Sequence, residues 1–222
     1  MIPAVVIAAG LGTRLRPLTE RWAKPVLPVG GQPVLARLLR DLGEAGCERV
    51  TVVSGHLAEQ VERIAGDGSS FGLELAHARQ TSPDGSAHAV AAAGAAAPYL
   101  VVGADQVFAP GDLAAFAEAF ERSGADGAVA VQDRPGTVEA GGGVVTRVLG
   151  GGRAAAPLWA VGPGVAPFVE ALPGAPPHEL ARAFQDAIDA GGRVLAVEIG
   201  ATLDLTTPAD LLELNFPYLG SL

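Results

Sequence analysis

A single cysteine, Cys47, stands in a chain of 222 residues. No internal disulfide can form, and one thiol without a Cys or His cluster beside it makes no zinc site. Cys47 therefore reads as a small buried hydrophobe. Basic residues are also scarce: 15 Lys and Arg stand against 24 Asp and Glu, a formal charge of −9. That leaves a polyphosphate backbone no broad basic surface to neutralise, so nucleic acid is not expected as a partner. Long apolar runs are missing as well. The longest, Ala87 to Ala97, contains His88 and is too short to cross a bilayer. Met1 to Gly10 has no basic flank before it and runs directly on to Arg14, so it reads as a first buried strand rather than a leader. A cytoplasmic protein without a membrane partner is expected. What the chain has in quantity is glycine, 30 residues, with 17 prolines scattered as single turns and no Gly-X-Y period. With 49% of residues hydrophobic, it can build one large core, and a single domain over 1–222 is expected.

Strand-like and helix-like patterns alternate along the chain. Ala4 to Ala8, Val50 to Ser54, Leu73 to Ala78, Tyr99 to Gly103, Gly127 to Val131 and Val194 to Ile199 are short apolar or β-branched runs. Between them, Pro33 to Ala45, Leu57 to Ala65, Ser86 to Ala96, Asp112 to Arg122 and His178 to Ala190 carry helical spacing, several with Pro, Asp or Ser at the start as cap candidates. The alternation predicts βαβ units in an α/β, three-layer, Rossmann-like fold with a mixed, mostly parallel sheet. Thr137 to Leu149, centred on Gly141 to Gly143, predicts a hairpin or lid.

The first strand runs into AAGLGTRLRPLTERWAKP, Ala8 to Pro25. A Gly-x-Gly at the carboxyl edge of such a strand exposes backbone amides where α/β sheets bind ligands. The dinucleotide fingerprint fails here, because Leu15 stands where a third glycine belongs and no acidic residue closes the second strand. The GxxxxGK[ST] phosphate loop fails too, for want of a Lys at the required distance. There remain two glycines, Thr13, Arg14 and, ten residues after Arg14, Lys24. Arg14 can grip phosphate oxygens bidentately, and Lys24 adds a movable charge over the same group.

The stretch GLGTRLRPLTERWAKPVLPVGGQPVL closely resembles the signature of the sugar-1-phosphate nucleotidyltransferases, the NDP-sugar pyrophosphorylases. The likeness continues in SGHLAEQVERIAGDGSSFGLEL, RQTSPDGSAHAV, VVGADQVF and TLDLTTPADLLELN, nearest to the glucose-1-phosphate thymidylyl- and uridylyltransferase-like members. It implies a GT-A-like fold and transfer of a nucleotidyl group from an NTP, dTTP or UTP first, to a sugar 1-phosphate, with Mg²⁺ as cofactor and NTP and sugar 1-phosphate as partners; a homo-oligomer is compatible with it. It also implies nucleotide contacts by Ala9, Gly10, Leu11, Gly12 and Thr13, and phosphate handling by Arg14 and Lys24.

Gln80 precedes the turn Ser82-Pro83-Asp84-Gly85. A side-chain amide offers one donor and one acceptor, the complement of a uracil or thymine edge, and a glycine lets a base approach the backbone. Gln80 and Gly85 look like the pyrimidine-reading pair of the resembled family. Asp105, just past Leu100-Val101-Val102-Gly103, and Asp204, in Thr202-Leu203-Asp204-Leu205, resemble its metal-binding carboxylates. Asp210 reads instead as a first-turn helix residue, His56 as a hydrogen-bonded loop histidine, Trp22 as loop packing, and His88 as a core or interface residue.

One departure stands out. Members of the resembled family carry a Glu-Lys-Pro element after the mid-chain hairpin, whose Glu reads sugar hydroxyls and whose Lys meets the sugar phosphate. Here the stretch is Thr146-Arg147-Val148-Leu149-Gly150-Gly151-Gly152-Arg153. Arg147 or Arg153 can replace the Lys. Nothing acidic nearby replaces the Glu, since Glu139 lies across the glycine turn. The Pro17-Leu18-Thr19 insert argues against a molybdenum-cofactor cytidylyl or guanylyl type; the alternatives left open are a guanylyl-transferring member and a non-catalytic NDP-sugar sensor.

Overall fold

Every side chain of the first strand, β1 (Ala4–Ala8), is apolar and almost all are buried. Because successive side chains point to opposite faces, such a strand must be covered on both sides. The computed structural model, which describes residues 1–216, shows how. After β1 the chain continues through α1 (Val34–Glu44), β2 (Arg49–Ser54), α2 (Ala58–Ala65), β3 (Glu74–Arg79), α3 (Ser86–Ala92), β4 (Tyr99–Gly103) and α4 (Asp112–Ser123). It then forms β5 (Gly127–Gly136), β6 (Glu139–Gly141), β7 (Val144–Arg147), β8 (Gly152–Val161), α5 (Ala166–Ala171), α6 (Leu180–Asp189), β9 (Val194–Glu198) and α7 (Pro208–Asn215).

The strands make one nine-stranded sheet in the order β3-β2-β1-β4-β8-β5-β9-β7-β6. β3, β2, β1 and β4 are parallel, as are β5 and β9. β8 is antiparallel to both its neighbours, and so is β7. The mixed, mostly parallel sheet expected from the alternation is present. Side-chain parity divides the core: Val6, Val52, Val102 and Leu158 meet Leu38, Leu39, Val61 and Phe116 on one face, while Val5, Val53, Val101 and Trp159 meet Val90, Val169 and Phe184 on the other.

Some boundaries differ from expectation. β5 extends to Gly136 rather than ending at Val131, because β8 pairs along its length. α3 ends at Ala92, and Gly94 beyond it takes φ +59. Ser86 and Asp112 begin their helices instead of capping them; among the described helices only α7 has a side-chain cap, Thr207. Cys47 is buried and its thiol donates to the Arg49 carbonyl, with burial pushing its pKa up. The hairpin around Gly142 is present, as β6 and β7 at the sheet's end. No helix among the described residues is long and apolar enough to cross a membrane.

Candidate active site

The loop after β1 is held from within and from outside. Gly12 has φ +61, and a Cβ there would lie 2.8 Å from Thr19 Cγ2, so the backbone needs glycine for both conformation and space. The buried Thr19 donates its hydroxyl to the Gly12 carbonyl at 2.8 Å. Leu15, which broke the dinucleotide fingerprint, is fully buried in a small cluster with Leu27, Val29, Val34, Val107 and Leu205. That anchor fixes the loop against the segments that follow Asp105 and Asp204. From α2 and the turn before it, His56 Nε2 lies 2.7 Å from the Thr19 carbonyl. The Gln60 amide accepts from the Ala23 N–H and donates to the Arg21 carbonyl, both at 2.8 Å. His56 is thus the hydrogen-bonded loop residue expected. Trp22 is not packed into the loop; it is 55% exposed.

This loop forms one wall of a cleft of about 460 Å³ at the carboxyl ends of β1 and β4, lined by Gly10, Gly12, Thr13, Arg14, Lys24 and Asp105 among others. A Cβ at Gly10 would meet no protein atom within 4 Å, so its backbone faces open space. Lys24 is largely buried and ion-paired with the Asp105 carboxylate. Arg14 has no ion-pair partner among the described residues. The cleft adjoins a second pocket of about 360 Å³, where Ala9, Leu11, Gln80 and Gly85 join the same glycines and Thr13. The structure therefore brings together the whole loop, both cations, Asp105, Gln80 and Gly85.

Gln80 is oriented by its neighbours: its Nε2 donates to the Gly85 carbonyl at 3.0 Å and lies 3.1 Å from His88 Nδ1. His88 is thus a half-buried partner of Gln80 and not merely a core residue. With the amide nitrogen engaged, Oε1 is the atom left for a ligand, an acceptor. Gly85 has a second reason to be glycine. At φ +106 its missing Cβ gives space to the His178 backbone, and His178 N–H donates to the Asp84 carbonyl at 2.6 Å.

Asp204 comes beside Asp105 through a short antiparallel pairing of Leu203–Asp204 with Gln106–Val107, and the Leu205 N–H donates to the Asp105 carbonyl at 3.0 Å. Asp204 itself does not line the cleft; Thr206 does. The Asp204 carboxylate accepts from Thr202 at 3.2 Å and lies 4.0 Å from Arg134. Asp210 is the α7 residue expected, completing a capping box with Thr207; burial pushes its carboxyl up, but hydrogen bonds from Thr207 and Thr206 together outweigh that and hold it below the usual range.

The two acceptor-side arginines are not brought to the cleft. Arg147 borders a separate depression with Leu149, Arg182, Gln185 and Asp189. Arg153 pairs with Glu198 at 3.0 Å, and Glu139 accepts from the Gly151 N–H at 2.9 Å. What sequence reasoning missed also lines the cleft: Ser86, Pro157, Trp159, Thr206 and Glu179. Only the helix-like pattern after His178 hinted at a wall there.

The family described as Nucleotidyl transferase matches residues 3–155. A glucose-1-phosphate thymidylyltransferase of Streptomyces griseus is 44% identical over 87 residues, 39% of this chain and 24% of that protein. An N-acetylmuramate alpha-1-phosphate uridylyltransferase of Neisseria meningitidis serogroup B is 36% identical over 107 residues, 46% of each chain. The chain thus spans from about a quarter to under half the length of these two relatives. In fold it is similar to a UDP-glucose pyrophosphorylase of Acinetobacter baumanii, with a TM-score of 0.82 and 19% identity over 96% of this chain and 92% of that one.

Proposed function

We infer that this chain, which belongs to the nucleotidyl transferase family, moves a nucleotidyl group from an NTP to a sugar 1-phosphate and releases pyrophosphate. One observation carries the reading: bare glycine backbone, Arg14, Lys24 and Asp105 share a single cleft that opens onto the pocket of Gln80. The nucleophile, a phosphate oxygen, is already ionised at neutral pH, so no general base is needed. Rate enhancement rests on alignment and on neutralising charge. Arg14, which has no ion-pair partner among the described residues, grips the phosphates of the NTP. Lys24 leaves Asp105 for the α-phosphate as negative charge gathers there and on the departing pyrophosphate.

The donor set fits a hard divalent ion. Asp105 and Asp204 are carboxylates on adjacent, hydrogen-bonded segments, both partly exposed, Asp105 lining the cleft and Asp204 beside it. Such sparse ligation suits Mg²⁺, whose shell phosphate oxygens and water complete. When bound by these two residues, the ion supplies charge neutralisation at the reacting phosphates.

Gln80 Oε1 accepts the imino N–H of the base. Uracil and thymine carry that group and cytosine and adenine do not, so dTTP and UTP are the donors favoured; guanine carries one too, and GTP is the competitor to measure. Pyrophosphate release is assayed with Mg²⁺, each NTP and a panel of sugar 1-phosphates. The expected result is turnover with dTTP or UTP ahead of CTP and ATP. No pyrophosphate from any pair would sink the assignment, and faster turnover of GTP would overturn the choice of base.

A further inference from the structure

Past Gly103 the cleft changes character. Its walls there are Val101 of β4, Pro157 and Trp159 of β8, and Leu180 and Ala181 of α6, and the polar side chains among them are Ser86 and Glu179. Among the described residues no cation lines this end. Glu179 is fixed in place: Ser86 Oγ donates to its Oε2 at 2.6 Å, the Ser86 N–H approaches the same oxygen at 3.4 Å, and Ser86 Oγ accepts from the Leu180 N–H at 2.8 Å. Two backbone hydrogen bonds, His178 N–H to Asp84 and Ala87 N–H to His178, bind the same segment to the turn that carries Gly85. The apolar wall and its carboxylate are thus built onto the base-reading turn.

Resting on the sugar-1-phosphate reading, we propose that Glu179 reads the ring of the acceptor, and that the acceptor is a sugar 1-phosphate carrying an apolar substituent, an N-acyl group or a deoxy carbon. A carboxylate only accepts hydrogen bonds. With Oε2 engaged by Ser86, Oε1 takes one hydroxyl or one amide N–H from the sugar. An unsubstituted hexose ring brings several hydroxyls, and each that loses water without finding a partner is penalised. An acyl methyl or a deoxy carbon instead gains by covering Trp159, Leu180 and Ala181. Glu179 thereby fills the place of the acidic residue that the stretch from Thr146 to Arg153 lacks.

The test is acceptor kinetics with saturating dTTP or UTP and Mg²⁺, comparing glucose 1-phosphate, N-acetylglucosamine 1-phosphate and a 6-deoxyhexose 1-phosphate. Wild type, Glu179→Gln and Ser86→Ala are assayed alongside calorimetric NTP binding without acceptor. Expected are a kcat/KM for the acylated or the deoxy acceptor about tenfold or more above that for glucose 1-phosphate, and an acceptor KM raised about tenfold by Glu179→Gln. NTP affinity stays within about twofold of wild type, which also shows that the variant folds. Ser86→Ala gives a smaller rise in the same KM. Glucose 1-phosphate as the best acceptor, or an unchanged KM in Glu179→Gln, overturns the proposal and leaves the parent reading standing. No pyrophosphate from any acceptor, with NTP still bound, overturns both.

Discussion

Lys24 does its work at the end of a loop that is held from outside as well as from within. Between Arg21 and Ala23 the backbone is gripped on both sides by one amide, that of Gln60, so a residue of α2 sets the register of the lysine next door. Gln60→Met keeps length and volume and removes both hydrogen bonds, each worth about 1 kcal/mol. We expect kcat to fall about tenfold with acceptor KM little changed, in the direction of Lys24→Ala, which should lower kcat more than it weakens NTP binding. Trp22, exposed between the two gripped residues, reports the cause: its fluorescence should be quenched more readily by acrylamide in Gln60→Met. Unchanged quenching together with unchanged kcat would show that the loop holds itself. The loop residues, Lys24 and Asp105 were legible in the sequence because glycines, charges and a strand end follow one another within short stretches. Gln60 and Glu179 were not legible, since each acts through a backbone or hydroxyl brought close only by folding.

Among the elements, α2 is tied to the sheet edge by Glu62, which accepts from Arg79 Nε at 2.7 Å and Nη2 at 2.8 Å, and from Ser54 at 3.1 Å. The Arg79 hydrogen bonds bring the Glu62 pKa from 4.5 down to about 2. A folded pKa below the unfolded one contributes stability that is present above the unfolded value and lost as pH falls through the folded one. The Tm gap between wild type and Glu62→Gln should therefore be full near neutral pH and close between about pH 4.5 and 2. A gap independent of pH would mean that the carboxylate charge contributes nothing. The parallel strands were readable as apolar runs. β8 was not: Ala154-Ala155-Ala156-Pro157 has poor intrinsic β character, and only pairing with β4 and β5 makes it a central strand.

At the scale of the molecule, the two candidate metal carboxylates come from positions 105 and 204, joined by a two-residue ladder and by the small cluster around Leu15. Removing either should abolish turnover nearly completely, on the order of several kcal/mol of barrier. The Tm of Asp204→Asn without metal should stay close to wild type, because that carboxylate is partly exposed and 4.0 Å from Arg134, whereas Asp105→Asn should lower Tm, because it leaves the largely buried Lys24 without its ion pair. Full activity of either variant at saturating Mg²⁺ would remove it from the assignment. The fold class was legible from alternating patterns, whereas the insertion of β8 depends on contacts no local pattern encodes. That insertion matters before the protein is finished. On the ribosome β4 can join β1 as soon as residue 103 emerges, yet its far edge waits for residues 152–161, on the order of 3 to 12 seconds at about 5–20 residues per second. Throughout that interval the nascent chain carries an open, apolar edge, Tyr99-Leu100-Val101-Val102, with β5 already made and able to occupy the wrong slot. The pace of translation through this stretch thus bears on yield, and chaperone capture is best timed to it.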